Sequence, residues 1–327
     1  MRDPFIDNAK GVLITLVVLG HYLEAISGWK NPYLSAGLSI IYLFHMPAFV
    51  FLAGVTAKRE RLGMRVANIA IILILFQLAY GIPIILISGE WPTGLSQPYW
   101  ILWFLLSLIW WMLLIPLIVR VPYAFTISIV TAILGGLYPG DGYQLSIMRT
   151  LTFLPFFVWG TLHGNRTIAA LQACAWRRLL AIALFATTAA ILIFSGLGHR
   201  WLYGSFSYAH MGVGDAPGMM IRAALLILSS ASLVAFLGCM TTKRSYLSVV
   251  GHNSLAIFVL HGFAIIIFEN MIVRTALPEL PWSFILVVLA SLMTTLILAH
   301  PFFNTSIRAV AINLSSLFLK TTSRTNS

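Results

Sequence analysis

The chain has 327 residues, 60% of them hydrophobic and only 9% charged, with a mean hydropathy of +0.93. A soluble domain carries about 25% charged residues to cover itself with water-compatible groups, so this composition excludes a soluble globule and demands lipid as solvent. The net charge of +11 falls between apolar runs rather than in a separate basic domain, which excludes nucleic acid as the expected partner.

A membrane-crossing helix needs about 20 residues. The segments that qualify are Ala9–Ala25, Leu34–Val55, Val66–Ile87, Tyr99–Val119, Val121–Tyr138, Met148–Leu162, Leu179–Gly196, Met219–Cys239, Leu247–Phe268 and Trp282–Phe302. They are continuously apolar rather than alternating, and about twice as long as a barrel strand. The expected fold is all-α, a polytopic transmembrane bundle of about ten spans in the lipid bilayer. Asp7 and Lys10 lead into the first run and His21 and Glu24 interrupt its end. It therefore reads as a retained helix and not a signal peptide.

Charge sets the orientation. With a cytoplasmic N-terminus, the inner segments hold Arg2, Lys10, Lys58, Arg59, Arg61, Arg65, Arg120, Arg166, Arg177, Arg178, Lys243, Arg244, Arg308, Lys320 and Arg324. Lys30, Arg149, Arg200, Arg222 and Arg274 fall outside, giving 15 against 5 of the 20 basic residues. The asymmetry predicts both termini in the cytoplasm. Cys174 and Cys239 have no metal-ligand spacing and fall near the reducing side, so neither disulfide nor metal is expected. Residues 1–302 read as one transmembrane domain and 303–327 as a cytoplasmic tail. Ile307, Val310, Ala311 and Leu314 could make that tail a short amphipathic helix; a frayed terminus fits equally.

Ionisable groups at membrane depth cost a few kcal/mol or more, which makes each one a functional candidate. Eleven helical steps separate Lys10 from His21 and return to within about 20° of the same azimuth. Asp7 and Glu24 fall within about 60° of Lys10 on that wheel. All four line one stripe of an otherwise apolar helix. Asp7 and Lys10 could equally be an interfacial ion pair. His21, with a carboxylate one turn on, is arranged for proton transfer. In the second span, His45 stands beside Pro47, which removes a backbone hydrogen bond and favours a polar cavity. A plain interhelical hydrogen bond from His45 is the alternative.

These residues resemble a known family. Lys10, ten residues and then His21 is similar to the basic-residue-to-histidine signature in the first helix of the membrane acyltransferase-3 superfamily. Ile6-Asp7-Asn8-Ala9-Lys10-Gly11 and Val17-Val18-Leu19-Gly20-His21 resemble its fucose 4-O-acetylase-like branch. So do Phe44-His45-Met46-Pro47 with the following Ala53-Gly54, where many relatives have Ser-Gly, and Leu102-Trp103-Phe104-Leu105. Gly251-His252-Asn253-Ser254 with His261 completes the match, which runs from Ile6 to about His261. The resemblance implies transfer of an acyl group, usually acetyl from acetyl-CoA, to a sugar hydroxyl. It implies His21 as the base, a functional role for Lys10, a cytoplasmic donor and acceptors that often lie outside.

The chemistry agrees. Thioester transfer needs a base for the alcohol proton and donors for the developing oxyanion. His21 can be that base and Glu24 can hold its tautomer; His45 or Asn253 could donate to the thioester oxygen. Lys10, Lys58, Arg59 and Arg61 lie where CoA phosphates would arrive. Tyr99, Trp100, Trp103, Trp110 and Trp111 could stack on a sugar or on adenine, or belong to an interfacial belt. His261 could line the same cavity, and Asn253 could bond neighbouring helices instead. Arg149 and Arg222 could meet an acceptor phosphate or snorkel. His163, His199, His210 and His300 carry no assigned role.

The expected activity is therefore O-acyl transfer from acyl-CoA to a surface or exported glycan or its lipid-linked precursor. Acetyl-CoA is a co-substrate, with no cofactor held permanently. A transporter of a glycan or lipid-linked intermediate is the rival, although no inverted repeat is visible. A non-catalytic partner of a synthase is a third reading.

Overall fold

The computed structural model describes residues 3–27, 29–91, 96–140, 142–273 and 283–324. Arg2, Arg274 and Trp282, the expected start of the tenth span, lie outside the described residues. The helices in chain order are α1 (Pro4–Ser27), α2 (Pro32–Val55), α3 (Leu62–Ser88), α4 (Trp103–Ile118), α5 (Ala124–Gly135), α6 (Ile147–Ala173) and α7 (Arg177–Phe194). There follow the short α8 (Arg200–Tyr203), then α9 (Asp215–Cys239), α10 (Tyr246–His252), α11 (Ser254–Phe268), α12 (Ser283–Leu298) and α13 (Pro301–Arg324). Among the described residues there are no strands.

Eight of these helices, some with their flanking turns, are long and apolar enough to cross a membrane; the bent pair α12–α13 would make a ninth span. The all-α polytopic class holds, and the differences from ten uniform spans have local causes. The fifth expected span, Val121–Tyr138, is reduced to the 12-residue α5, bounded by Pro122 before it and Gly136 after it. Twelve residues rise about 18 Å, short of the hydrocarbon core. The ninth, Leu247–Phe268, breaks at Asn253 into α10 and α11. The chain expected as a tail is the helix α13, bent 56° from α12, with Pro301 pre-set for its first turn. Buried Ala311 and Ser315 face α3, where the Ser315 hydroxyl donates to Met64 Sδ at 3.4 Å.

Without a hydrophobic drive between helices in lipid, close backbone approach and hydrogen bonds hold the bundle. Two contacts matter most. A Cβ on Gly54 would collide with the Phe157 carbonyl, and one on Gly160 with the Phe51 carbonyl, so α2 and α6 meet backbone to backbone. A Cβ on Gly11 would strike the Leu247 carbonyl, and one on Gly251 the Asp7 carbonyl, which seats α1 on α10. Asn8, fully buried beside this contact, donates to the Thr241 and Lys243 carbonyls at 2.9 and 2.8 Å. It accepts from the Ser245 and Ser248 hydroxyls at 2.8 and 2.7 Å. Phe44, Phe51, Phe104, Trp111, Phe157 and Phe236 fill the core between α2, α4, α6 and α9.

The contacts predict a graded response to one added methyl group. Gly251→Ala should lower the thermal unfolding midpoint in detergent or abolish accumulation, since overpacking against rigid backbone costs about 1–3 kcal/mol. Gly37→Ala, which meets open space, should leave that midpoint unchanged. Equal behaviour of the two variants would mean that α1 does not depend on the Gly11–Gly251 crossing.

Candidate active site between two cavities

The polar stripe of α1 faces two cavities that share Val17, Met46 and Phe258 in their linings. The first, of about 690 Å³, lies where α1 begins, α2 ends and α3 begins. Asp3, Asp7, Lys10, Lys58, Arg65 and Arg308 supply its charges, and Asn68, Asn165, Thr56 and Ser254 its neutral polar groups. Its inner wall is apolar, with Phe49, Phe104, Leu108 and Met112. The second, of about 380 Å³, lies toward the other end of α1 and holds His21, Glu24, Tyr42, His45, Trp100, Trp103, Arg149 and Tyr203. Val17 stands one turn before His21 on the same face, so His21 marks the meeting of the two spaces.

His21 is fixed in tautomer and plane. Its Nδ1 lies 3.1 Å from Glu24 Oε2. A carboxylate only accepts, so Nδ1 carries a proton, and the neutral ring has its lone pair at Nε2. The ring meets Trp100 edge-on at 4.9 Å and stacks on His261 at 5.5 Å. Glu24 is held in turn: the Tyr203 hydroxyl donates to Oε1 at 2.7 Å while accepting from Trp29 Nε1 at 2.6 Å. Trp29 also reaches Oε1 directly at 3.2 Å, and the Tyr42 hydroxyl donates to the same carboxylate. Burial, then the adjacent Glu24 carboxylate, pushes the Tyr203 phenol above its ordinary range, which keeps it a donor. His199 stacks on Trp29 at 4.5 Å; burial and the neighbouring Arg200 push its imidazole down.

Arg149 opens the wall opposite. Its guanidinium lies 4.9 Å over the Trp103 ring and 5.1 Å from that of Tyr143, and its Nε donates to the Tyr203 carbonyl at 3.3 Å. The cation thus rests on aromatic faces, an arrangement strengthened by desolvation.

The other expected residues divide between the cavity walls and the packing around them. His45 lines the second cavity, but its Nδ1 donates to the Ile41 carbonyl at 2.7 Å. A neutral His45 therefore offers a lone pair and not the N–H expected for an oxyanion. Asn253 lines neither cavity. Its amide donates to the Val249 and Ala299 carbonyls at 3.1 and 2.8 Å, tying the α10–α11 break to the α12–α13 bend. His261 is fully buried behind His21, with Nδ1 on the Ile257 carbonyl at 2.9 Å. Lys10 and Lys58 line the first cavity, whereas Arg59 and Arg61 are exposed and absent from its lining. Arg65 and Arg308 stand there instead. Trp29, Tyr42 and Tyr203 escaped the sequence reading because an uncharged aromatic in a span or loop looks like packing. Arg308 lies in a polar C-terminal stretch whose composition reads as a tail.

A family model described as an acyltransferase domain matches residues 3–300. The chain belongs to that family, and its long apolar helices give it the architecture of a multi-pass membrane protein. It is 43% identical over 63 residues to nodulation protein NolL of Sinorhizobium fredii, and 42% identical over 59 residues to nodulation protein NolL of Mesorhizobium japonicum. These matches cover 17% and 16% of this chain and only 16% and 15% of the relatives. No solved structure matches the chain.

Proposed function

We propose that the protein transfers acetyl from acetyl-CoA to a hydroxyl of a sugar, in a surface or exported glycan or its lipid-linked precursor, at the inner membrane of a bacterium. The observation that carries this reading is the position of the His21–Glu24 pair, where a basic cavity and an aromatic one share Val17, Met46 and Phe258. CoA phosphates suit Lys10, Lys58, Arg65 and Arg308, of which the arginines match phosphate geometry. The thioester end would follow the apolar inner wall toward His21, about 16 Å along α1 from Lys10. The resemblance to the fucose 4-O-acetylase-like branch and the Trp- and Tyr-lined second cavity support a sugar acceptor.

In the proposed step His21 Nε2 takes the proton of the acceptor hydroxyl as its oxygen bonds to the thioester carbonyl carbon. Glu24, held by Tyr203, Trp29 and Tyr42, stabilises the imidazolium that forms. The C–S bond then breaks and the departing sulfur takes the proton back from His21. The Arg149 guanidinium, on the wall of the same cavity, is a candidate donor for the oxyanion in place of His45 and Asn253.

The test is acetyl transfer by purified protein supplied with acetyl-CoA and glycan acceptors. His21→Ala, accumulating and folding normally, should lower kcat by about 10²-fold or more. Near-full activity in that variant would end the mechanism, and a protein that neither binds nor consumes acetyl-CoA would favour a transporter.

The donor end separates the arginines. Arg65→Ala and Arg308→Ala should raise KM for acetyl-CoA with little change in kcat, since phosphate contacts serve ground and transition states alike. Arg59→Ala and Arg61→Ala should leave both constants near wild type. The reverse order would move the phosphate site to the connection between α2 and α3.

A further inference from the structure

Building on the proposed acetyl transfer, we infer that His45 is a specificity residue that accepts a hydrogen bond from a second hydroxyl or amide N–H of the acceptor. His45 is 4% exposed and lines the aromatic cavity that also holds His21. Its ring meets Tyr42 edge-on at 4.9 Å, and the Tyr42 hydroxyl donates to Glu24. Both imidazoles thus flank one carboxylate-centred network, and both are committed through Nδ1. In His21 that nitrogen is on Glu24 at 3.1 Å and in His45 on the Ile41 carbonyl at 2.7 Å. Each neutral ring is left with Nε2 and a lone pair.

The chemistry of a hydroxyl makes the two sites distinct. The reacting O–H has one proton, which His21 takes, so it has none to give His45. A lone pair on the cavity wall loses its water partner when a ligand fills the space, and leaving it unmet then costs binding energy. The group that answers it must be another donor on the same acceptor molecule. A cavity of about 380 Å³ falls within the range of small-ligand sites and suits one sugar ring. The ligand class that satisfies both nitrogens is a polyhydroxylated or N-acylamino sugar, presented with two donors toward α1 and α2. A simple monohydric alcohol satisfies only one.

The experiment compares methyl glycosides with their monodeoxy counterparts as acceptors for the purified full-length protein and acetyl-CoA. Besides the hydroxyl that receives acetyl, one further position should matter. Removing it should lower wild-type kcat/KM by about 10-fold or more, because a site built around a hydroxyl rejects analogues lacking it. His45→Ala should bring the parent glycoside down to the level of that analogue and leave the analogue itself unchanged. His45→Gln, whose side-chain oxygen can accept, should restore part of the discrimination. If His45→Ala lowers parent and deoxy acceptors by the same factor, His45 acts on packing or on the chemical step and the inference fails. The inference also fails if wild type shows no preference beyond the acetylated position. Either failure leaves His21-dependent acetyl transfer standing, so it is distinguishable from failure of the proposed function.

Discussion

The backbone contact between α1 and α10 is the constraint on which the site depends. A helix carrying Asp7, Lys10, His21 and Glu24 can turn its polar stripe only toward the bundle interior, and small rotations would expose it to lipid. Gly11 and Gly251 bring two backbones together where any side chain would collide. Asn8 completes the seat with hydrogen bonds to four partners in the segment before α10 and in its first turn. Asn8 lies two residues before Lys10, about 200° around the helix, so the clip holds the face opposite the stripe and sets its azimuth as well as the depth of the helix. The resemblance motifs Asn8-Ala9-Lys10-Gly11 and Gly251-His252-Asn253 thus have a packing meaning beside any chemical one.

Polar atoms at membrane depth each need a partner, because hydrocarbon supplies none. Around Glu24 the protein meets this by chaining them. Trp29 donates to Tyr203, Tyr203 to Glu24, and Glu24 accepts from His21. Every link leaves one fewer choice to the next, down to His21 on the wall of the second cavity. Breaks in the helices serve the same end. Asn253 answers carbonyls at the α10–α11 break and at the α12–α13 bend. The break at Asn253 allows Ser254 and Phe258 to line the basic cavity.

The sequence made the class, most spans and the α1 stripe legible, because 3.6-residue periodicity and long apolar runs are local properties. Lys10, His21, Glu24, Lys58, Trp103 and Arg149, candidates from residue type and position alone, line the two cavities. Three things were not local. Whether an apolar run crosses fully depends on where it breaks, and neither Pro122 nor Asn253 announced a short or split helix by composition alone. The seating of α13 on α3 depends on long-range contacts, so Arg308 looked like a tail charge. The direction in which His45 and Asn253 commit their protons depends on which carbonyls lie within 3 Å or so, and a linear pattern carries no such information.

We propose that donor and acceptor reach His21 from opposite ends of α1, through cavities that share Val17, Met46 and Phe258. Sided reconstitution tests it most directly. The protein would be sealed into vesicles in one orientation, with labelled acetyl-CoA confined to the face that carries Lys58 and Arg65. A membrane-impermeant glycan acceptor would be supplied only on the other face. The account predicts that label appears on the glycan while CoA stays where it was supplied, and that both depend on His21. Transfer that occurs only with donor and acceptor on the same face would contradict it.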